Sequence, residues 1–250
     1  MYQALYRKYR SQNFSQLVGQ EVVAKTLKQA VEQEKISHAY LFSGPRGTGK
    51  TSVAKIFAKA MNCPNQKGGE PCNDCYICEA ITNGSLEDVI EIDAASNNGV
   101  DEIRDIRDKS TYAPSLAPHK VYIIDEVHML STGAFNALLK TLEEPTENVV
   151  FILATTELHK IPATILSRVQ RFEFKSIKTS AIQDHLKAVL DKEGIDYEEE
   201  AVAIIARRAE GGMRDALSIL DQALSLTAGA QLTTATAEEI TGSISQEALD

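Results

Sequence analysis

Residues 44 to 51 read GPRGTGKT, a match to GxxxxGK[ST], the spacing of a loop that holds phosphate. Gly44, Gly47 and Gly49 let the backbone curl close to an anion, with Pro45, Arg46 and Thr48 filling the turn between them. A helix start offers free N–H donors and a positive dipole end, so Lys50, Thr51 and Ser52, at the head of the helix that follows, complete an anion cradle. Lys50 would reach the outer phosphates, and the Thr51 hydroxyl can ligate magnesium. A second chemical pair stands in VYIIDE, residues 121–126, where an apolar run ends in two carboxylates. Alone they would read as surface acids at a strand end. Beside a phosphate loop, Asp125 suits the magnesium, through Thr51 or water, and Glu126 suits orienting or deprotonating an attacking water.

The four cysteines stand together as Cys63-x8-Cys72-x2-Cys75-x2-Cys78. Four thiolates match a closed tetrahedral zinc site. The last three also copy the start of an iron–sulfur run, although the fourth cysteine lies upstream and no Cys-Pro follows. Idle thiols on one helical face are a third reading, and a disulfide pair is disfavoured in a reducing compartment. Two arginines complete the set. Arg214, in GGMRDAL, falls in the first turn of a helix, where a cation opposes the dipole unless an anion is near; Asp215 is the alternative local partner. Arg168, in ILSRVQ, has nothing local to mark it.

These groups need a scaffold that brings strand ends to one edge. Short apolar runs, HAYLF, EDVIEIDA, KVYIIDE, VVFILATT and RFEFKSI, alternate with helical stretches such as 50–61 and 132–143. That alternation predicts an α/β fold, a mainly parallel five-stranded sheet with helices on both faces. LVGQEVVAKTLKQAVEQEK reads as an amphipathic helix ahead of the first strand. After Lys178 only helical spacing remains, in AIQDHLKAVL, EAVAIIARRAE and MRDALSILDQAL, which predicts a small helical bundle. Domain boundaries are therefore expected at 1–178, with a cysteine insert at about 62–80, and 179–242, with residues 243–250 starting a third unit.

The net charge of -9 is unevenly spread. Residues 1–178 hold 21 basic and 21 acidic residues, and the remainder 5 and 14, so a polyanion would have to meet local patches on the first part. No apolar run exceeds six residues (VVFILA), which excludes a membrane-spanning helix. Nothing at the N-terminus reads as a signal peptide, and a cytoplasmic location is expected.

With GPRGTGKT, Asp125-Glu126, Thr155-Thr156, Ser167-Arg168 and Gly212-Met-Arg214 in that order, the chain resembles the AAA+ ATPases. LYRKYR, LVGQE, AASNNGVDEIR (94–104), DEVHMLS, LLKTLEEP and the cysteine cluster make it similar, more narrowly, to the clamp-loader subunits of bacterial DNA polymerase III of the gamma/tau type. The resemblance covers essentially all 250 residues. It implies ATP, Mg2+ and Zn2+ as cofactors, with zinc structural on the four cysteines. It also implies Thr155 or Thr156 as a sensor near the outer phosphate, and Arg214 as a second sensor carried by the helical lid. Arg168 would act as an arginine finger in a neighbouring subunit's site, and Arg10 and Val18 would border adenine and ribose. Arg104, Arg107 and Lys140 would line a path for duplex backbone. Two departures are Val169 where the family has cysteine after Ser-Arg, and Ser11 where it has proline after Tyr-Arg.

The implied role is a motor that opens a ring-shaped sliding clamp and loads it on primed DNA with other clamp-loader subunits. The alternatives are a non-hydrolysing AAA+ scaffold and another AAA+ DNA-remodelling ATPase, such as a Holliday-junction motor. The family's protein continues past this length, so these 250 residues alone are expected to bind nucleotide as a monomer.

Overall fold

In the computed structural model, which describes residues 2–249 and the side chains of 2–242, each apolar run becomes a strand, and the three central strands are covered on both sides. In β3 (Lys120–Asp125), Val121 and Ile123 face one helical layer while Tyr122 and Ile124 face the other, and all four are buried. A strand sealed on both faces reads as a continuous apolar run rather than an alternation. β1 (Ala39–Ser43) and β4 (Val149–Thr155) are buried along their whole length for the same reason. β2 (Val89–Asp93) and β5 (Gln170–Glu173) lie at the two edges and are only partly covered. The order is β2-β3-β4-β1-β5, with every pairing parallel.

Two helical layers close the sheet. On one side pack α2 (Glu21–Glu32), α3 (Lys50–Asn62) and α4 (Tyr76–Asn83), burying Leu27, Phe57 and Ile81 against Tyr40 and Phe42. On the other pack α5 (Val100–Ser110), α6 (Thr132–Glu143) and the single turn α7 (Ala163–Leu166), burying Ile103, Leu138 and Ile165. From Thr179 the chain is helical: α8 (Thr179–Glu193), α9 (Glu199–Arg208), α10 (Met213–Leu226) and α11 (Thr234–Leu249). Leu186, Leu190, Val202, Ile205, Leu217 and Leu220 form their core. The N-terminal turn α1 (Leu5–Lys8) joins this second core, for Leu5 is buried in it. The third unit expected at 243–250 falls on residues whose side chains are not described, with Asp250 outside the described residues altogether. Among the described residues no helix is long and apolar enough to cross a membrane.

Since β4 lies between β1 and β3, the C-terminal ends of these three strands sit side by side. The loops that leave them therefore face one another, the usual ligand edge of an open parallel sheet.

Candidate nucleotide and metal sites

The phosphate loop leaves β1 under close constraint. The Gly44 amide donates to the Thr155 carbonyl (3.2 Å), and the Phe174 amide donates to the Ser43 carbonyl (2.6 Å). Gly44 has φ +147°, and a Cβ there would sit 2.3 Å from the Phe174 carbonyl oxygen, so only glycine fits. Gly49, at φ +98°, precedes the first residue of α3 and turns the chain into the helix. No acidic residue stands in the first turn of α3, which leaves its positive end free for an anion. Lys50 is buried, and its Nζ donates to the carbonyls of Gly44 and Pro45 (2.7 Å each). Burial lowers its pKa while Asp125 and Glu126 pull it back up, so both carboxylates lie within electrostatic reach of the lysine.

Asp125 ends β3, and burial, reinforced by Asp93, raises its pKa against the opposing Glu126 amide and Lys50 charge. A carboxylate whose charge is disfavoured in this way gains from a cation beside it, which fits magnesium held with Thr51. Glu126 adopts a left-handed backbone (φ 53°), a rare state for a non-glycine residue, with its amide on Asp125 Oδ1 at 2.9 Å. Its carboxylate reaches His128 Nε2 at 3.3 Å, and His128 Nδ1 shares a 2.9 Å hydrogen bond with the Thr155 hydroxyl. A line of three side chains thus runs from Glu126 to the end of β4. Thr155 is fully buried and also accepts the Glu157 amide (2.9 Å), whereas Thr156 is half-buried.

The helical unit touches the loop directly. The Met213 amide, opening α10, donates to the Gly47 carbonyl at 3.0 Å, and Gly212 lies against Gly47. Arg214 is exposed and stacks over the Tyr6 ring at 4.8 Å rather than pairing with Asp215. Arg10 donates from Nε to Ser52 Oγ (2.8 Å) and feels the charge of Arg214, so two cations border the start of α3. Val18 is half-buried and packs against the helical core, at the same junction. Gln20, buried, donates to the carbonyls of Thr48 (3.3 Å) and Lys175 (2.7 Å) and accepts the Lys175 amide. It latches the phosphate loop to the segment that leads into the helical unit.

Other predicted residues lie elsewhere. Arg168, for which the sequence offers no partner, stands exposed beside Glu143 of α6 at 3.9 Å. That pair is loose and solvated, worth little in energy. Arg104 and Lys140 are exposed on the neighbouring helices α5 and α6, and Arg107 is half-buried next to Asp108 at 4.0 Å.

The cysteines gather into one cluster, with all four Sγ atoms within 4.8 Å of one another. Cys63 and Cys75 stand 4.0 Å apart, as do Cys72 and Cys78. A single zinc ion bonded to four sulfurs at about 2.3 Å sets them about 3.8 Å apart. A cluster of several irons would spread them wider. The idle-face reading also fails, because Cys72 lies in a loop, Cys75 caps α4, and only Cys78 is in the helix. Backbone amides of Asn65, Cys72, Cys75 and Cys78 point at cysteine sulfurs at 3.3–3.4 Å, which favours thiolates. Burial pushes the Cys78 thiol up, so its thiolate needs a cation.

Sequence reading missed His128, Gln20 and Tyr6. His128 had a faint signal, following the two carboxylates within one tight turn; Gln20 and Tyr6 fall inside LVGQE and LYRKYR, but their partners lie in distant parts of the chain and no local spacing marks their contacts.

The family model described as "DNA polymerase III, delta subunit" matches residues 19–178. Residues 181–229 match "DNA polymerase III clamp loader subunit, ATPase lid domain". The chain is 64% identical over 245 residues to the DNA polymerase III subunit tau of Bacillus subtilis, covering 98% of this chain and 43% of that one. It is 50% identical over 223 residues to the DNA polymerase III subunit tau of Escherichia coli, covering 89% and 35%. It thus spans less than half the length of these relatives. Among solved structures, the Thermotoga maritima RuvB Holliday junction branch migration motor superimposes with a TM-score of 0.68 at 18% identity, over 94% of this chain and 72% of that one. At that identity the likeness establishes the fold alone. The chain belongs to the DNA polymerase III clamp-loader subunit family, with a sheet domain of AAA+ type followed by the family's ATPase lid.

Proposed function

We propose that the chain is the ATP-binding and ATP-hydrolysing part of a clamp-loader motor, one that opens a sliding clamp and loads it on primed DNA beside other clamp-loader subunits. The observation that carries the reading is the convergence of the α3 start, Lys50, Asp125 and the Glu126–His128–Thr155 line at one sheet edge, under the lid helix that bears Arg214. A nucleotide-binding scaffold would need only the first two of these.

In this reading the α3 amides and Lys50 bind the outer phosphates. Thr51 and Asp125 hold Mg2+, which neutralises charge developing on the phosphates. Glu126 accepts a proton from the attacking water, and His128 keeps its carboxylate aimed. Thr155, tied to that same line, is the better placed of the two threonines to sense the outer phosphate. Arg214 closes over the phosphates from the lid, Arg168 acts in a neighbouring subunit, and Arg10 and Val18 border the base and ribose. Zinc on Cys63, Cys72, Cys75 and Cys78 is structural, since a closed tetrahedral site has no open position for substrate. Arg104, Arg107 and Lys140 face the primer–template backbone. The same role places the protein in the cytoplasm.

Glu126→Gln tests the assignment. Turnover of ATP should fall by about 10² to 10⁴, the usual worth of a general base, with the ATP dissociation constant unchanged. Unaltered turnover would remove Glu126 from the chemistry.

A further inference from the structure

The cysteine knuckle and the nucleotide site sit at opposite ends of α3, since Lys50 opens the helix and Cys63 immediately follows its last residue. Thirteen helical residues put about 20 Å between them. The N-terminal segment spans this distance a second time, along the outside. Its first part lies on the lid: the Leu5 amide and the Tyr2 hydroxyl both donate to Asp221, Lys8 pairs with Glu193 at 3.0 Å, and Tyr6 lies under Arg214. Its middle part reaches the phosphate-loop helix through Arg10 and Ser52. Its last part is gripped by the knuckle. The Glu70 carboxylate accepts the amides of Phe14 (2.7 Å) and Ser15 (3.0 Å). The Asn73 side chain donates to the Gln12 carbonyl (3.0 Å).

Lys59 locks this junction. It is 1% exposed, and its ammonium donates to the Gln12 carbonyl (3.0 Å), the Gln12 side-chain oxygen (2.9 Å) and the Asn73 side-chain oxygen (2.7 Å). Asn73 holds a left-handed backbone (φ 62°) in the turn between Cys72 and Cys75, so closure of the metal site fixes where its side chain points. Gly69, next to Glu70, is pressed against α2, where a Cβ would sit 2.3 Å from the Lys28 carbonyl oxygen. Without a rigid knuckle the Phe14 and Ser15 amides would lose Glu70 and the Gln12 carbonyl would lose Asn73, which loosens the segment that sets Arg10 against α3.

We propose that the cysteine knuckle is a tether: through Glu70 and Asn73 it holds the N-terminal segment, and so couples metal occupancy at one end of α3 to nucleotide affinity at the other. The inference rests on the nucleotide reading above. Glu70 and Asn73 are positioning residues, for they touch neither the metal nor the nucleotide and act through Arg10.

Full-length protein carrying Glu70→Ala should bind ATP about tenfold more weakly, within the usual span of coupling between two sites. It should retain its zinc and lose hydrogen-exchange protection at the Phe14 and Ser15 amides. Arg10→Ala should weaken ATP binding as well, and Glu70→Ala added to it should weaken binding no further, because both remove one path. Stripping zinc with a chelator should lower ATP affinity by a similar factor, and zinc chloride alone should restore it. An ATP affinity untouched by Glu70→Ala or by zinc removal would overturn the tether, as would effects of Glu70→Ala and Arg10→Ala that multiply. Lys50→Ala separates the two readings. If it binds ATP like the unmodified protein, the nucleotide assignment itself fails; if it loses ATP while Glu70→Ala does not, only the tether fails.

Discussion

Asp88 shows what a single buried charge does here. It is 1% exposed, and its carboxylate accepts three backbone amides, from Ser115, Leu116 and Ala117, at 2.6–2.8 Å. Burial alone would raise its pKa, but the three donors outweigh it and hold the carboxyl below its ordinary range. Because the folded pKa is depressed, the contribution to stability is present above the unfolded value and lost as pH falls through the folded one. Asp88→Asn should cost about 1–3 kcal/mol at neutral pH in urea unfolding, the usual penalty for buried amides left without a full partner. The gap should begin to narrow as pH falls below about 4, the ordinary carboxylate value, and close only at still lower pH, where the folded carboxyl protonates as well. A gap that is constant with pH would mean that the charge has no part in it. Nothing in LEDVIE marks Asp88 for this work, since its partners lie 27 to 29 residues further on.

At the scale of elements, what the sequence makes legible is whatever depends on local spacing. GPRGTGKT between a strand and a helix, VYIIDE as a strand sealed on both faces, and the helical repeat after Lys178 each carry their own pattern. Hidden from it are contacts that only the fold creates. His128 meets Thr155 from 27 residues away, Gln20 meets Lys175 from 155, and Glu70 takes the Phe14 amide from 56. LYRKYR shows the same limit. Its charges read as a basic segment near the nucleotide, yet Leu5 is a core residue of the lid and Tyr6 a platform for Arg214. The cysteines fall between these cases: their spacing admits a metal, while the sulfur separations that favour one ion over a cluster and the loop, cap and helix positions that rule out an idle helical face are visible only in three dimensions.

At the scale of the whole molecule, the proposed reading has the ATP site take one further cation from another subunit. Arg168, exposed and held only by a loose pair with Glu143, is the chain's candidate for giving that cation to its neighbour. In assembled loaders, Arg168→Ala should leave ATP binding intact and lower turnover by about 10³-fold or more, the scale of an arginine supplied in trans. Normal turnover would return Arg168 to the ordinary surface. The central claim, a motor whose ATP cycle serves clamp loading, is tested most directly by steady-state ATP turnover in the full-length protein assembled with its partner subunits, with and without sliding clamp and primed DNA. Turnover should rise when clamp and primed DNA are present together; a rate indifferent to both would contradict the account.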